Sequence, residues 1–307
     1  MPAPRLKIAP EVEEALLHRG AVVALETSVL ARGPPPPANL LAAGARAGAV
    51  RSSGAVPAFL ALLEGELVVG ADERALTQLA DPAAGAAKAS VVHLAAPLRE
   101  RRAAGTTVSA SVAIAQAAGI RVLGKGGIGG VHRSVPEDGA RRDRSADLSE
   151  MSRRKVCGVA SGPKVELLVA ATAEALEALG VPVVGYATSE LPAFFAARAG
   201  LPLEHRDGDA AQASLFLRIH RDELGRGEGA LLCVPPSTPL PAERVEAALL
   251  EALSEGRARG LSGEELTPFL PAALDRAAAG ESRSGSVELL RRNARVAGET
   301  ARELARG

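Results

Sequence analysis

Lysine is scarce in this chain. Among 36 Lys and Arg residues, lysine stands only at Lys7, Lys88, Lys125, Lys155 and Lys164. Arginine stays protonated and cannot act as an amine nucleophile, whereas a desolvated lysine can lose its proton and attack a carbonyl. A chain that writes arginine at nearly every other basic position keeps lysine where arginine will not serve. Lys164 follows Ser161-Gly162-Pro163 in "CGVASGPKVELLVAATAEALEALG", between an apolar run of strand type and one of helix type. A lysine at such a junction is partly desolvated and close to a helix N-terminus. Both effects lower its pKa, which suits a Schiff-base nucleophile.

Four other constellations could carry chemistry. Glu26 ends an apolar run, with Thr27 and Ser28 after it. A carboxylate at the C-terminal end of a strand projects to the face where α/β proteins place their sites, although a surface glutamate is the plain alternative. "AGTTVSAS" (104–111) joins a glycine and hydroxyls to a helix start, which is either an anion site or a capped helix. "GKGGIGGVHR" (124–133) holds glycines at 126, 127, 129 and 130, which let backbone approach a ligand closely, followed by His132 and Arg133. It has neither dinucleotide-fingerprint nor P-loop spacing. In "DRSADL" (143–148), Asp143 and Asp147 could hold a hard divalent cation and a sugar hydroxyl, or Ser145 or Asp147 could cap a helix.

The elements that must position these residues alternate in kind. "AVVALE" (21–26), "SVVHLA" (90–95), "RVLGKGGIGG" (121–130), "KVCGVAS" (155–161), "VPVVGYAT" (181–188) and "GALLCVPP" (229–236) read as strands. "VPAFLALL" and "ELVVG" read as a hairpin about Glu64-Gly65. Asn39 stands where it could cap the Ala-rich helix after the extended "RGPPPPAN" loop. Thr106 or Thr107 could cap another, "VELLVAATAEALEALG" (165–180) reads as a third, and the chain from Pro241 onward is helical, with breaks at "RGLSGEE" and "AAGESRSGS". Alternating strands and helices predict an α/β fold with a largely parallel sheet, helices on both faces and a helical C-terminal region. No repeat or long linker divides the chain, so residues 1–307 are expected to form one domain. The most polar loop is Arg133–Asp143, and mobility is expected there.

Formal net charge is zero and no charged block stands out, so no nucleic-acid or membrane partner is expected. No apolar run resembles a signal peptide or a bilayer span. Cys157 and Cys233 lie in apolar runs, as buried thiols of a reducing, cytoplasmic protein would.

Several blocks, in order along nearly the whole chain, resemble the pseudouridine-5'-phosphate glycosidase (indigoidine synthase A-like) family. They are "VALETSVLARGPPPPANL", "SGAVPAFLALLEGEL", "GTTVSAS", "GGIGGVHR", "DRSADL", "SGPK", "VVGYATSELPAFF", "LTPFL" and "RRNAR". The resemblance implies reversible cleavage of the C–C glycosidic bond of pseudouridine 5'-phosphate to uracil and ribose 5-phosphate. It implies Lys164 as nucleophile and Glu26 as proton donor, with Lys88 and Val108 contacting substrate and Ser145, Ala146 and Asp147 lining the sugar. His132 and Asn293 match further substrate positions, Asp143 belongs to a manganese (Mn2+) site, and the family forms homotrimers. Other phosphorylated sugars as substrates, and a non-catalytic sugar-phosphate-binding paralogue, are the alternatives. Lys125 stands where the family pattern has a small hydroxyl residue, and Arg32, Pro36, "CVPP" and Ser286 are further departures.

Overall fold

A computed structural model describes residues 6–33, 36–133, 143–261, 266–277 and 281–307. Pro34, Pro35 and residues 134–142, most of the polar loop singled out above, lie outside the described residues. The strands are β1 (Leu6–Ile8), β2 (Val22–Leu25), β3 (Val56–Leu63), β4 (Glu66–Val69), β5 (Ala87–Ala89), β6 (Ala104–Thr106), β7 (Val122–Gly124), β8 (Cys157–Ala160), β9 (Val183–Tyr186), β10 (His205–Asp207) and β11 (Ala230–Cys233). The helices are α1 (Pro10–Leu17), α2 (Ser28–Arg32), α3 (Ala38–Ser52), α4 (Glu73–Ala80), α5 (Ala95–Glu100), α6 (Val108–Ala117), α7 (Ala146–Met151), α8 (Val169–Ala178), α9 (Ala210–Arg218), α10 (Ala242–Ala258), α11 (Leu266–Ala277) and α12 (Glu281–Arg306).

The strands form one sheet in the order β1-β4-β3-β2-β7-β8-β11-β9-β10, with β6 also on β3 and β5 on β6. Among the described strands, only the β3–β4 and β3–β6 pairs are antiparallel. The expected α/β fold with a largely parallel sheet is therefore observed. Alternation along β2 shows why both faces are covered. Val23 and Leu25 pack in one core with residues of α3, α9 and α12, and Val22 and Ala24 pack in a second with residues of α1, α6, α7 and α8. A strand buried on both faces reads as a continuous apolar run, as "VVAL" does. The β3–β4 hairpin turns where expected, at Glu64 (φ 52°) and Gly65 (φ 81°). Positive φ at both central residues gives the turn the twist that tight hairpins need.

Some expectations fail locally. "SVVHLA" is not a strand: Val91–His93 form a 3-10 turn and α5 begins at Ala95. The strand lies just before it, at β5, and carries Lys88. Short runs of β-branched residues do not reveal by periodicity which three residues pair. Asn39 does not cap α3. It is buried inside the helix, where its Nδ2 donates to the carbonyls of Leu30 (3.2 Å) and Ala80 (3.3 Å). The helix expected from Val165 starts only at Val169, and of the break expected at "AAGESRSGS" residues 278–280 lie outside the described residues while Glu281 onward belongs to α12.

Candidate active site

Strands β2, β7 and β8 are parallel neighbours, with Leu25 opposite Gly124 and Gly124 opposite Val159. Their C-terminal ends open on the same side of the sheet, and the residues that follow are Glu26, Lys125 and the Ser161–Lys164 turn. Glu26 and Lys125 are 6% and 3% exposed. Charged residues at such depth need partners.

Glu26 has them. Its Oε2 accepts from the Ser28 backbone N–H (2.9 Å) and hydroxyl (2.6 Å). Arg46, fully buried on α3, lies 3.9 Å from its Oε1. The same guanidinium donates to the carbonyls of Glu26 (2.9 Å) and Gly124 (3.1 Å), tying the ends of β2 and β7 together. Burial alone would raise the Glu26 pKa. Arg46, Lys125, the Ser28 bond and Lys164 together outweigh it and hold the carboxyl below its ordinary value. Glu26 is thus an anion at rest.

Lys164 departs from the sequence reading. The helix N-terminus invoked to lower its pKa is absent, because residues 164–167 make a turn closed by Leu167 N–H to Lys164 O (3.1 Å) and α8 starts later. Desolvation does push its pKa down, but Glu166, Asp147 and Glu26 push harder and leave it raised. Lys164 is an ammonium at rest. Glu166, buried two residues on, went unnoticed in the sequence because it reads as an ordinary residue of an amphipathic helix. Arg46 was missed likewise. Only its burial marks it.

Lys125 faces inward. Burial foremost, then Lys164, brings its pKa down to about 8, with Arg46 adding to the fall and Asp147 and Glu26 opposing it. Lys88, exposed on β5, also has its pKa lowered, by desolvation and then by Lys164, against the pull of Asp147, Glu166 and Glu26. All four lysine and glutamate positions 26, 88, 125 and 164 therefore share one electrostatic field. Among the described residues, no carboxylate comes within ion-pair distance of any of the three ammoniums.

Asp147 knits the surrounding loops. Its Oδ1 accepts from Ser109 N–H (2.9 Å) and its Oδ2 from Gly129 N–H (2.8 Å). The α6 N-terminus considered as an anion site is thus partly occupied by this carboxylate, and Thr107 as N-cap bonds Ser109 Oγ (3.0 Å) rather than a backbone amide. Each Asp147 oxygen keeps a second acceptor position. Ser145 caps α7, accepting from Asp147 N–H at 3.2 Å, and Ala146 is the first helical residue. Gly129 is glycine for a local reason: a Cβ there would stand 2.3 Å from Ser145 Oγ and 2.8 Å from Asp147 Oδ2. The glycine-rich segment was expected to admit a ligand. Gly127, Gly129 and Gly130 instead admit the chain's own Phe194, Ser145 and Thr172.

Val108, 2% exposed, opens α6. His132 is half-buried and its N–H donates to Asp143 O (2.9 Å), which brings the exposed Asp143 beside the glycine segment. Asn293 on α12 is fully buried, and its Nδ2 donates to Lys125 O (2.8 Å), Gly126 O (3.1 Å) and Ser161 Oγ (3.1 Å). It braces the strand ends from behind.

Among the described residues no group of three His, Cys, Asp or Glu side chains is arranged to hold a metal. Asp143 offers one exposed carboxylate. That donor set fits a hard cation kept mostly by water and substrate oxygens, since such ions need only one or two protein carboxylates. A cavity of about 500 Å3 between α1, α3, α4 and β3 lies elsewhere, lined by residues such as Leu40, Ala43, Phe59 and Leu76. Among its lining residues Arg51 is paired with Glu11.

The chain is similar to known proteins along nearly its whole length. Residues 11–303 match the family model described as indigoidine synthase A like protein. A pseudouridine-5'-phosphate glycosidase of Myxococcus xanthus is 41% identical over 303 residues, covering 98% of this chain and 99% of that protein. One of Chloroflexus aurantiacus is 43% identical over 300 residues, covering 96% and 97%. Among solved structures, the prealnumycin C-glycosynthase AlnA in complex with ribulose 5-phosphate superposes with a TM-score of 0.90 at 35% identity, covering 98% of this chain and 97% of that one. An indigoidine synthase A (IdgA)-like protein of Thermotoga maritima gives 0.85 at 28% identity, covering 99% and 98%.

Proposed function

The chain belongs to the indigoidine synthase A-like family, and on that premise we propose that it cleaves, reversibly, the C–C glycosidic bond of pseudouridine 5'-phosphate to uracil and ribose 5-phosphate. The observation that carries this reading is Lys164. It stands at a strand end beside Glu26, Asp147 and Glu166, in a chain whose near-full-length relatives bear that enzyme's name.

A C-glycoside has no leaving oxygen or nitrogen for an acid to protonate, so paired carboxylates of the usual glycosidase kind do not suffice. An amine supplies the missing electron sink. Lys164 bonds the anomeric carbon as the ring-oxygen bond breaks, and the resulting adduct opens the sugar. The nitrogen then forms a C=N bond as the C–C bond cleaves onto the aglycone carbon, which takes up a proton. Water releases ribose 5-phosphate from the iminium. The resting charges set the order of events. Glu26 is an anion and Lys164 an ammonium, so Glu26 first accepts a proton and only then donates one to the ring oxygen. Lys88 neutralises phosphate at the mouth of the site, near Val108 at the start of α6. Ser145, Ala146 and Asp147 face the sugar, and His132 and Asn293 hold the surrounding loops in place. A divalent cation, manganese by family resemblance, would be held by Asp143 and would supply positive charge to orient substrate. The active species is a homotrimer.

Release of uracil from pseudouridine 5'-phosphate tests the reading, together with borohydride trapping of ribose 5-phosphate on Lys164. Lys164→Arg keeps the charge and removes the nucleophile, so release and trapping should both vanish. An arginine variant with near-normal rate excludes the covalent route. The structure holding ribulose 5-phosphate favours a second reading, that of a C-glycosynthase joining a pentose phosphate to another aglycone. Trapping without uracil release would select it.

A further inference from the structure

Lys125 is buried at the end of β7 without a hydrogen bond or ion pair from its ammonium among the described residues, and nothing in the scheme above uses it. The charged groups facing it are Glu26 at the end of β2, Arg46 on α3, Lys164 beyond β8 and Asp147 on α7. Its backbone is fixed on both sides: its N–H donates to Val159 O (3.0 Å) and its carbonyl accepts from Asn293 (2.8 Å). The side chain is therefore held in the site by the strand register and is not a solvated surface lysine that has folded inward.

Cleavage through a lysine adduct moves two protons. Lys164 begins as an ammonium. It loses one proton before its nitrogen bonds the anomeric carbon, and a second before that nitrogen can push an electron pair into the C=N bond. Two broken bonds take protons up. The bond to the ring oxygen leaves its pair on oxygen, and the C–C bond leaves its pair on the aglycone carbon. Two protons leave nitrogen and two are taken up, so no oxidant or reductant is needed. Water then adds to the iminium, giving the sugar aldehyde and Lys164 as its ammonium. Glu26 is one carboxylate and carries one proton at a time, from Lys164 to the ring oxygen.

The geometry points to Lys125 as the second proton carrier of this site: it takes the remaining proton from the adduct nitrogen and delivers it to the aglycone carbon. This rests on the covalent reading proposed above. On this route a water or a substrate hydroxyl carries the proton between the Lys164 nitrogen and the Lys125 amine. A lysine brought to about pH 8 by burial and a neighbouring ammonium is suited to both halves of the task, because it exchanges protons near neutrality. Arginine cannot replace it, since a guanidinium does not accept and return a proton.

The test compares the wild-type chain with Lys125→Met, Lys125→Arg and Lys125→Ala on pseudouridine 5'-phosphate. Lys125→Met should release uracil at least about 100-fold more slowly, within the range for loss of an acid–base group. Intact-protein mass spectrometry should show the uncleaved nucleotide accumulating on Lys164, because attack and ring opening do not need Lys125. Borohydride trapping of ribose 5-phosphate should persist, which excludes misfolding as the cause. The wild-type rate should rise through about pH 8 as Lys125 loses its proton, and the variant should lose that limb. Lys125→Arg should not recover activity, whereas methylamine should partly restore Lys125→Ala. Uracil release by Lys125→Met or Lys125→Arg at near wild-type rate, with the same pH profile, overturns the role of Lys125 alone. Absence of uracil release from the wild-type chain overturns the functional reading and this role with it.

Discussion

At Glu26 a carboxylate 6% exposed stays ionised because four groups favour its charge against one cost, its burial. Glu26→Gln keeps an acceptor for Ser28 but removes the charge and the proton. The variant should fold, and uracil release should fall by roughly 10²–10⁴, the usual cost of losing an acid–base group. Its stability should differ from wild type in a pH-dependent way. A depressed carboxyl stabilises the fold above its unfolded value, 4.5, and that contribution is lost as pH falls through the lower folded value. Thermal melts of the two proteins should therefore converge in acid. Lys125 carries the opposite sign. Its pKa falls from 10.5 to about 8, so the buried ammonium opposes folding wherever it is protonated. Below pH 8 that penalty is complete, on the order of 3 kcal/mol. It is relieved as pH rises from 8 toward 10.5. Lys125→Met should then melt above wild type at pH 7, with the gap closing by pH 10. Equal melting points at both pH values would show that the lysine escapes to solvent.

At the scale of elements, the site depends on what lies behind the strands. α12 packs across α3, β2 and β7, and its Asn293 braces the β7 and β8 ends. That packing needs close approach: a Cβ at Gly298 would stand 1.8 Å from Ser53 Oγ, 3.0 Å from Ser53 Cβ and 3.3 Å from the Val50 carbonyl of α3. The hydroxyl could rotate, but the backbone carbonyl cannot. Gly298→Val should cost about 1–3 kcal/mol by overpacking, measured by urea denaturation. Because it moves α12, it should also slow turnover more than its effect on melting suggests. The segment before α7 has a different dependence. Asp143→Ala should abolish any stimulation of uracil release by manganese while leaving far-UV circular dichroism and melting unchanged, since the side chain is exposed. Unaltered stimulation across a metal titration would place the cation elsewhere.

For the whole molecule, the described residues contain no helix long and apolar enough to cross a membrane. Leu17, Leu41, Val92 and Leu224 are more than half exposed, and the proposed trimer is tested by its mass. Light scattering should give a mass three times the chain's 31.3 kDa; a monomer at micromolar concentration would remove the trimer. The two thiols are spectators. Cys157 and Cys233 are buried, and burial pushes both thiols up, Cys157 to about 12. Neither can form a thiolate near neutrality.

Much of this was legible in the residues. The apolar runs at β2, β7, β8, β9 and β11 are long enough, and sufficiently bounded by glycine and polar residues, to be read as buried strands. Rare lysines and an acid at a strand end could be picked out by chemical type alone. What a linear pattern does not contain is which strand lies beside which. β2 ends at Leu25, β7 begins only at Val122 and β8 at Cys157, and only the sheet's pairing sets Glu26, Lys125 and Lys164 side by side. The same holds for three-residue strands such as β5 and β6, whose pairing is decided by their neighbours and not by their own propensity. Charge state was the furthest from reach. The sequence puts Lys164 at a helix start and lowers its pKa; tertiary structure delays the helix, gathers three carboxylates around the amine, and raises it. It also buries Lys125, whose neighbours in sequence are glycines and whose neighbours in space are charges. Residue type is local and can be read off a chain. Protonation depends on the sum of desolvation and Coulomb terms from groups far apart in sequence, and exists only once the chain has folded.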